Sequence, residues 1–215
     1  MRSLHTLIMA VATVAFASAA IAQCNRIDAS AIDGCTPDAF QVRYASNLNK
    51  GDSLINITNT GTTQSGSTAA NICVNVYAFG ATEEMVSCCS CLVTPNALVS
   101  LSVQGDLISN TLSPATPTAV VVKLVATETG TGNSCNPGRE NRLARGMRAW
   151  GTTLHALPTV PVSYGLTETR FLEGGLSQKE WDHVTAFCGF INANGSGFGI
   201  CKSCRSGGLG GAKEE

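Results

Sequence analysis

Ten cysteines constrain this chain more than any other feature: Cys24, Cys35, Cys73, Cys88, Cys89, Cys91, Cys135, Cys188, Cys201 and Cys204. Their meaning depends on compartment, and the first residues, "MRSLHTLIMAVATVAFASAAIAQC", create an expectation about it. Arg2 supplies a positive start, Leu7 to Phe16 an apolar stretch, and Ala20-Ile21-Ala22 a small-x-small cleavage site, which is the layout of a secretory signal peptide over residues 1–22. That stretch falls short of the ~20 residues a spanning helix needs, and no longer apolar run follows, so no transmembrane segment is expected in the mature chain. The expected location is secreted: extracellular, cell-surface or periplasmic. All ten cysteines lie beyond the cleavage site, and an even number in an exported chain reads as a structural disulfide framework.

The stretch "VSCCSCL" places three cysteines within four positions. On a strand, side chains alternate between faces, so Cys89 and Cys91 share one face while Cys88 points to the other. A direct Cys88–Cys89 bridge would strain the peptide between them, so these neighbours are expected to reach different partners. The alternative is a metal site. Cys88-x-x-Cys91 and Cys201-x-x-Cys204 together resemble four-cysteine zinc ligation in ligand type and local spacing. More than 100 residues separate the two pairs, and export favours oxidation over metal binding. Spacing leaves the connectivity open, with two local expectations: Cys24 with Cys35 across a short polar segment, and Cys188 with the following "GICKSC" segment.

Short runs rich in β-branched residues fill the middle of the chain: residues 53–59, 71–79, 84–93, 97–103 and 119–128. Turn-forming segments such as "NTGTTQSGST", "GATE", "TPN" and "SPATP" separate them. Ile72, Val74 and Val76 fall on one face of their run and Cys73, Asn75 and Tyr77 on the other, which predicts antiparallel strands with one side buried. The expected fold is mainly β, an antiparallel, immunoglobulin-like β-sandwich over residues 23–135. Residues 136–204 are expected as a strand-helix extension docked on it, and residues 205–215 as a flexible tail.

In that extension, "MRAWGTTLHAL" reads as a strand, and "PTVPVSYG" as a Pro-containing connection unsuited to a central strand. The clearest helix follows. Ser177 begins "SQKE", a capping box with Glu180, and Leu176 with Trp181 forms the hydrophobic staple. Trp181, Val184, Cys188 and Ile191 recur at helical steps as a core-facing stripe, and Asn194-Gly195 ends the run. The Gly-rich stretch beyond it is expected to be pinned by cysteines.

Charged residues make up 13% of the chain and the formal net charge is −1, so nothing here supplies a field for nucleic acid. The cluster Arg139, Arg142, Arg145 and Arg148 is interrupted by Glu140 and apolar positions and reads as a solvated loop. No catalytic residue is assigned. His155 and His183 lie on different elements, and Asp182 cannot orient its helical neighbour His183 through sequence proximity. "NGSGFGIC" follows a helix instead of linking a strand to one, so it fails the context for phosphate binding, and it lacks the first glycine of a nucleophile elbow.

The segments "CVNVYAF", "CCSCLVTPNALVSLSV", "GMRAWGTTLHALP" and "FCGFINANGSGFGICKSC" together resemble a family of exported, cysteine-rich bacterial proteins with no assigned activity. The resemblance implies export and a shared cysteine pattern, and carries no site residue. "GDSLINITNTG" locally resembles exported Ig-like repeat and adhesion domains. The resulting expectation is a secreted, disulfide-stabilised structural or adhesive module of a cell surface or filament, whose partners are further copies or a surface protein. The alternatives are an exported metal-binding protein using zinc at Cys88, Cys91, Cys201 and Cys204, and, after it, an exported hydrolase.

Overall fold

The computed structural model describes residues 38–62 and 70–204. In chain order its elements are β1 (Phe40–Ala45), β2 (Leu54–Asn59), β3 (Ile72–Phe79), β4 (Met85–Val93), β5 (Leu98–Ser102), β6 (Val120–Glu128), β7 (Met147–Ala156), β8 (Tyr164–Arg170), β9 (Leu172–Glu173), α1 (Gln178–Ala193) and β10 (Gly199–Ile200). Two sheets result. One has the order β10-β4-β3-β6-β1-β9 and the other β5-β2-β7-β8. The chain is therefore mainly β, with two sheets and a C-terminal helix.

The six runs read as strands from sequence all form, because each carries an alternating buried set, while its second set is covered in β3 and β4 and half-buried or exposed in β2 and β5. Between the sheets, Val74, Val76, Val122 and Leu124 meet Ile55, Ile57, Leu101, Met147 and Ala149 in one buried cluster. Each fully buried aliphatic side chain there contributes ~1.5–3 kcal/mol over its exposed state.

Three expectations need correction. First, β3 is not buried on one side: all eight of its residues are buried. Its second face carries Tyr77 into another cluster with Cys88, Val125, Leu176, Trp181, Val184, Cys188 and Ile191, where α1 lies over the six-stranded sheet. A helix covering the outer face turns a two-layer sandwich into three layers locally, so the strand beneath it loses its solvent side.

Second, the sandwich does not stop at residue 135. β7 sits inside the second sheet, pairing with β2 on one side and β8 on the other. Residues 136–204 therefore supply half of that sheet as well as the docked helix. Third, β1 and β8 were not anticipated. In β1 the polar Gln41 and Arg43 face the opposite sheet, where Gln41 Nε2 donates to the Met147 carbonyl at 3.1 Å and an Arg43 Nη1 donates to the Thr152 carbonyl at 2.9 Å. The apolar Phe40 and Val42 instead pack in the helix-covered layer. This reverses the usual inside-outside polarity.

The helix begins as the capping residue dictates: Ser177 Oγ accepts from the Glu180 N–H at 3.2 Å. The Glu180 carboxylate turns to Lys123 on β6, with Nζ–Oε1 of 2.5 Å, tying the first turn to the sheet. Leu176 and Trp181 are both buried in the layer beneath α1, consistent with the expected staple. At the other end Gly195 adopts a φ of +80°, a left-handed conformation glycine enters without steric cost, and the helix stops.

Candidate functional site

The cysteines explain how the C-terminal part is held. β4 pairs with β3 through Cys89↔Val76 and Cys91↔Val74, so Cys89 and Cys91 join the core between the sheets while Cys88 lies in the helix-covered layer. Cys88 is bonded to Cys188 on α1, Cys89 to Cys201, Cys91 to Cys204, and Cys73 to Cys135. The opposite facing of Cys88 and Cys89, legible from alternation, sends one bridge up to the helix and the other down to the terminal segment. The expected link between Cys188 and "GICKSC" is overturned. Cys188 belongs to the buried stripe of α1, so it meets the strand below and leaves Cys201 and Cys204 for the opposite face of β4. The Cys24–Cys35 expectation lies outside the described residues.

The zinc alternative required Cys88, Cys91, Cys201 and Cys204 to converge. Cys88 and Cys91 instead lie on opposite faces of β4, and the four sulfurs are divided among three bridges. Among the described residues no group of three or more His, Cys, Asp or Glu is arranged to hold a metal ion.

The two histidines stay apart. His155 Nε2 lies 2.8 Å from Thr167 Oγ1 in the β7–β8 hairpin. His183 sits on α1 over the other sheet, edge-on to Phe187 at 4.6 Å and 3.9 Å from a Glu180 oxygen. Asp182 accepts from Gln178 Nε2, and partial desolvation followed by the nearby Asp182 pushes the Glu140 carboxyl above its usual range. In the arginine cluster, Arg142 pairs with Glu128 at 3.5 Å and Arg148 with Asp38 at 2.8 Å.

Two surface features remain as candidates, and both lie along one side of the sandwich. The chain leaves the second sheet at the end of β8, passes through buried Phe171, and enters the first sheet as β9 beside β1. Where β8 peels away from β7, a cleft of about 290 Å³ opens, lined by Gln41, Arg148, Trp150, Arg170 and Glu173 among others. No histidine, cysteine or serine lines it, so it offers polar contacts and a partly exposed indole without a nucleophile-base pair.

The second feature is β8 itself. Five of its seven residues are exposed, and it is the terminal strand of its sheet. The opposite terminal strand, β5, starts at exposed Leu98, then alternates buried and half-buried residues over four positions and runs directly into the turn Val103–Leu107. The first sheet ends in two-residue strands on both sides. β8 is thus the longest open edge of the described molecule. The hairpin loop before it adds an apolar tip, with Val160 fully exposed, Val162 largely so and Leu157 in part. Its signal in the sequence was weak alternation, Tyr164-Gly165-Leu166-Thr167, obscured by charges that an edge tolerates and a core excludes.

Among the described residues no helix is long and apolar enough to cross a membrane. No protein-family model, no curated protein and no solved structure matches the chain.

Proposed function

We propose that this chain is an exported, disulfide-stabilised structural or adhesive module, a component of a cell surface or filament. The observation that carries the reading is the open β8 edge on a body whose helix α1 and following Cys201–Cys204 segment are fastened to β4 by three bridges. A rigid body with an unpaired strand edge is suited to joining other chains by strand addition. Disulfides that spare a small exported domain from relying on its core alone fit an oxidising environment.

We read the sandwich as immunoglobulin-related in its centre. The neighbours β2–β5 and β3–β6 match the B–E and C–F pairs of an immunoglobulin domain. β1 and β7 have exchanged places relative to that order, since β7 lies beside β2 and β1 beside β6.

The test is fractionation of an exporting host, with surface labelling and chemical crosslinking of intact cells. The expected result is a chain beginning just after Ala22, without free thiols, crosslinked into larger species at the surface or in released material. A chain retained in the cytoplasm with reduced cysteines, or an exported monomer with no crosslinked neighbour, would sink the reading.

A further inference from the structure

We propose that β8 pairs with β8 of a second copy of this chain, antiparallel about a two-fold axis through Thr167, joining two four-stranded sheets into one. The proposal rests on the structural-module reading and names the surface and partner through which such a module would assemble.

The backbone decides which groups are free. Phe171 N donates to the Ala149 carbonyl at 2.9 Å and Leu157 N to the Ser163 carbonyl at 2.8 Å, so the odd-numbered residues of the β8 side face β7. N–H and C=O groups alternate along a strand, which leaves those of Tyr164, Leu166, Glu168 and Arg170 directed away from the sheet. These four residues also share one face of β8, in register with Ala156, Leu154, Thr152 and Trp150.

Self-pairing about Thr167 uses all four. Tyr164 then faces Arg170 of the second copy and Leu166 faces its Glu168, each pair exchanging two bonds, for about eight backbone hydrogen bonds in all. The edge carries one charge of each sign, so the seam has no net charge. Arg170 meets the face of a tyrosine ring, and the Leu166 side chain meets the methylenes of Glu168. On the other face Thr167 meets its own copy, a favourable cross-strand combination. Moving the axis to Glu168 places two carboxylates directly opposite each other, and moving it to Thr169 leaves roughly half the ladder unpaired. The axis through Thr167 thus pairs the most free backbone groups without opposing like charges.

The test uses the full oxidised chain in sedimentation equilibrium from about 1 to 200 μM, a range suited to a modest interface. Wild type is expected to sediment as a monomer-dimer mixture. Leu166→Pro removes an N–H that makes no bond within the monomer and blocks the ladder, so it should weaken dimerisation at least tenfold while leaving the circular dichroism spectrum unchanged. The second measurement is Thr167→Cys. Residues facing each other at a non-hydrogen-bonded position lie ~4.5 Å apart at Cα, within disulfide reach, so this variant should crosslink to a dimer on a non-reducing gel. Thr169→Cys, four positions out of register, should not.

A wild-type chain that is monomeric throughout and a Thr167→Cys chain that does not crosslink would overturn the proposal. A dimer indifferent to Leu166→Pro would also overturn it, while leaving assembly through another surface intact. The module reading is judged separately, by crosslinking on cells.

Discussion

The four bridges among the described residues make a prediction opposite to the one their sequence separations invite. Cys91–Cys204 spans 113 residues, Cys88–Cys188 spans 100 and Cys73–Cys135 spans 62. If each closed its own loop, the chain-entropy relation would assign about 4.8, 4.7 and 4.3 kcal/mol, so the first would matter most. They do not act alone. With Cys89–Cys201 intact, Cys91 and Cys204 are already joined by a path of about 7 residues, and removing their bridge costs only about 2.4 kcal/mol. Cys88 and Cys188 remain joined through the same bridge by a path of about 15 residues, giving about 3 kcal/mol. Through the described bridges no comparable short path connects Cys73 to Cys135, whose loop retains its full value of about 4.3 kcal/mol. Paired Cys→Ala variants should therefore lose stability in the order Cys73/Cys135, then Cys88/Cys188, then Cys91/Cys204. Urea titration at constant m-value measures it, each loss appearing as a proportional fall in midpoint. An order that follows sequence separation, with Cys91/Cys204 costliest, would refute the shared-path argument.

Tyr77 is buried, its hydroxyl donates to the Pro137 carbonyl at 2.8 Å, and burial raises its ionisation above the ordinary range. A raised folded-state value means stability is full below the unfolded tyrosine pKa of about 10 and is lost as pH rises beyond it. Wild type should thus weaken between about pH 10 and 12, whereas Tyr77→Phe should begin about 1 kcal/mol less stable and show a flatter alkaline profile in thermal melts. Gly197 has a φ of +69°, and a Cβ there would lie 2.8 Å from the Cys88 carbonyl oxygen. Gly197→Ala should therefore cost about 2 kcal/mol or more in urea unfolding, and Gly195→Ala, which meets nothing within 4 Å, about 1. Ser177→Ala removes the acceptor for the Glu180 N–H, and should cost about 1 kcal/mol and increase amide exchange in the first turn of α1.

Local rules were enough for much of this molecule. β-branched alternation marked six strands, Ser177 and Asn194-Gly195 marked both ends of α1, and the parity of "CCSC" told which cysteines share a face. Each of these properties depends on neighbours a few residues away, which a sequence displays directly. Parity also required that Cys88 and Cys89 part company. It could not name their partners, because Cys188 and Cys201 come within reach only once α1 lies on one face of β4 and the terminal segment on the other.

Tertiary structure decided the rest. Gln41 and Arg43 point between the sheets because the Met147 and Thr152 carbonyls of β7 accept from them there, and alternation then turns Phe40 toward the helix-covered layer. The extension after Cys135 became part of a sheet because β2 left an edge for β7 to pair with, and that pairing placed β8 at the outside. A strand is an edge by virtue of what does not pair with it, and no property of its own residues records that. The linkage that makes a bridge spanning 113 residues weaker than one spanning 62 is likewise a property of which loops share a path, and it exists only in the folded connectivity.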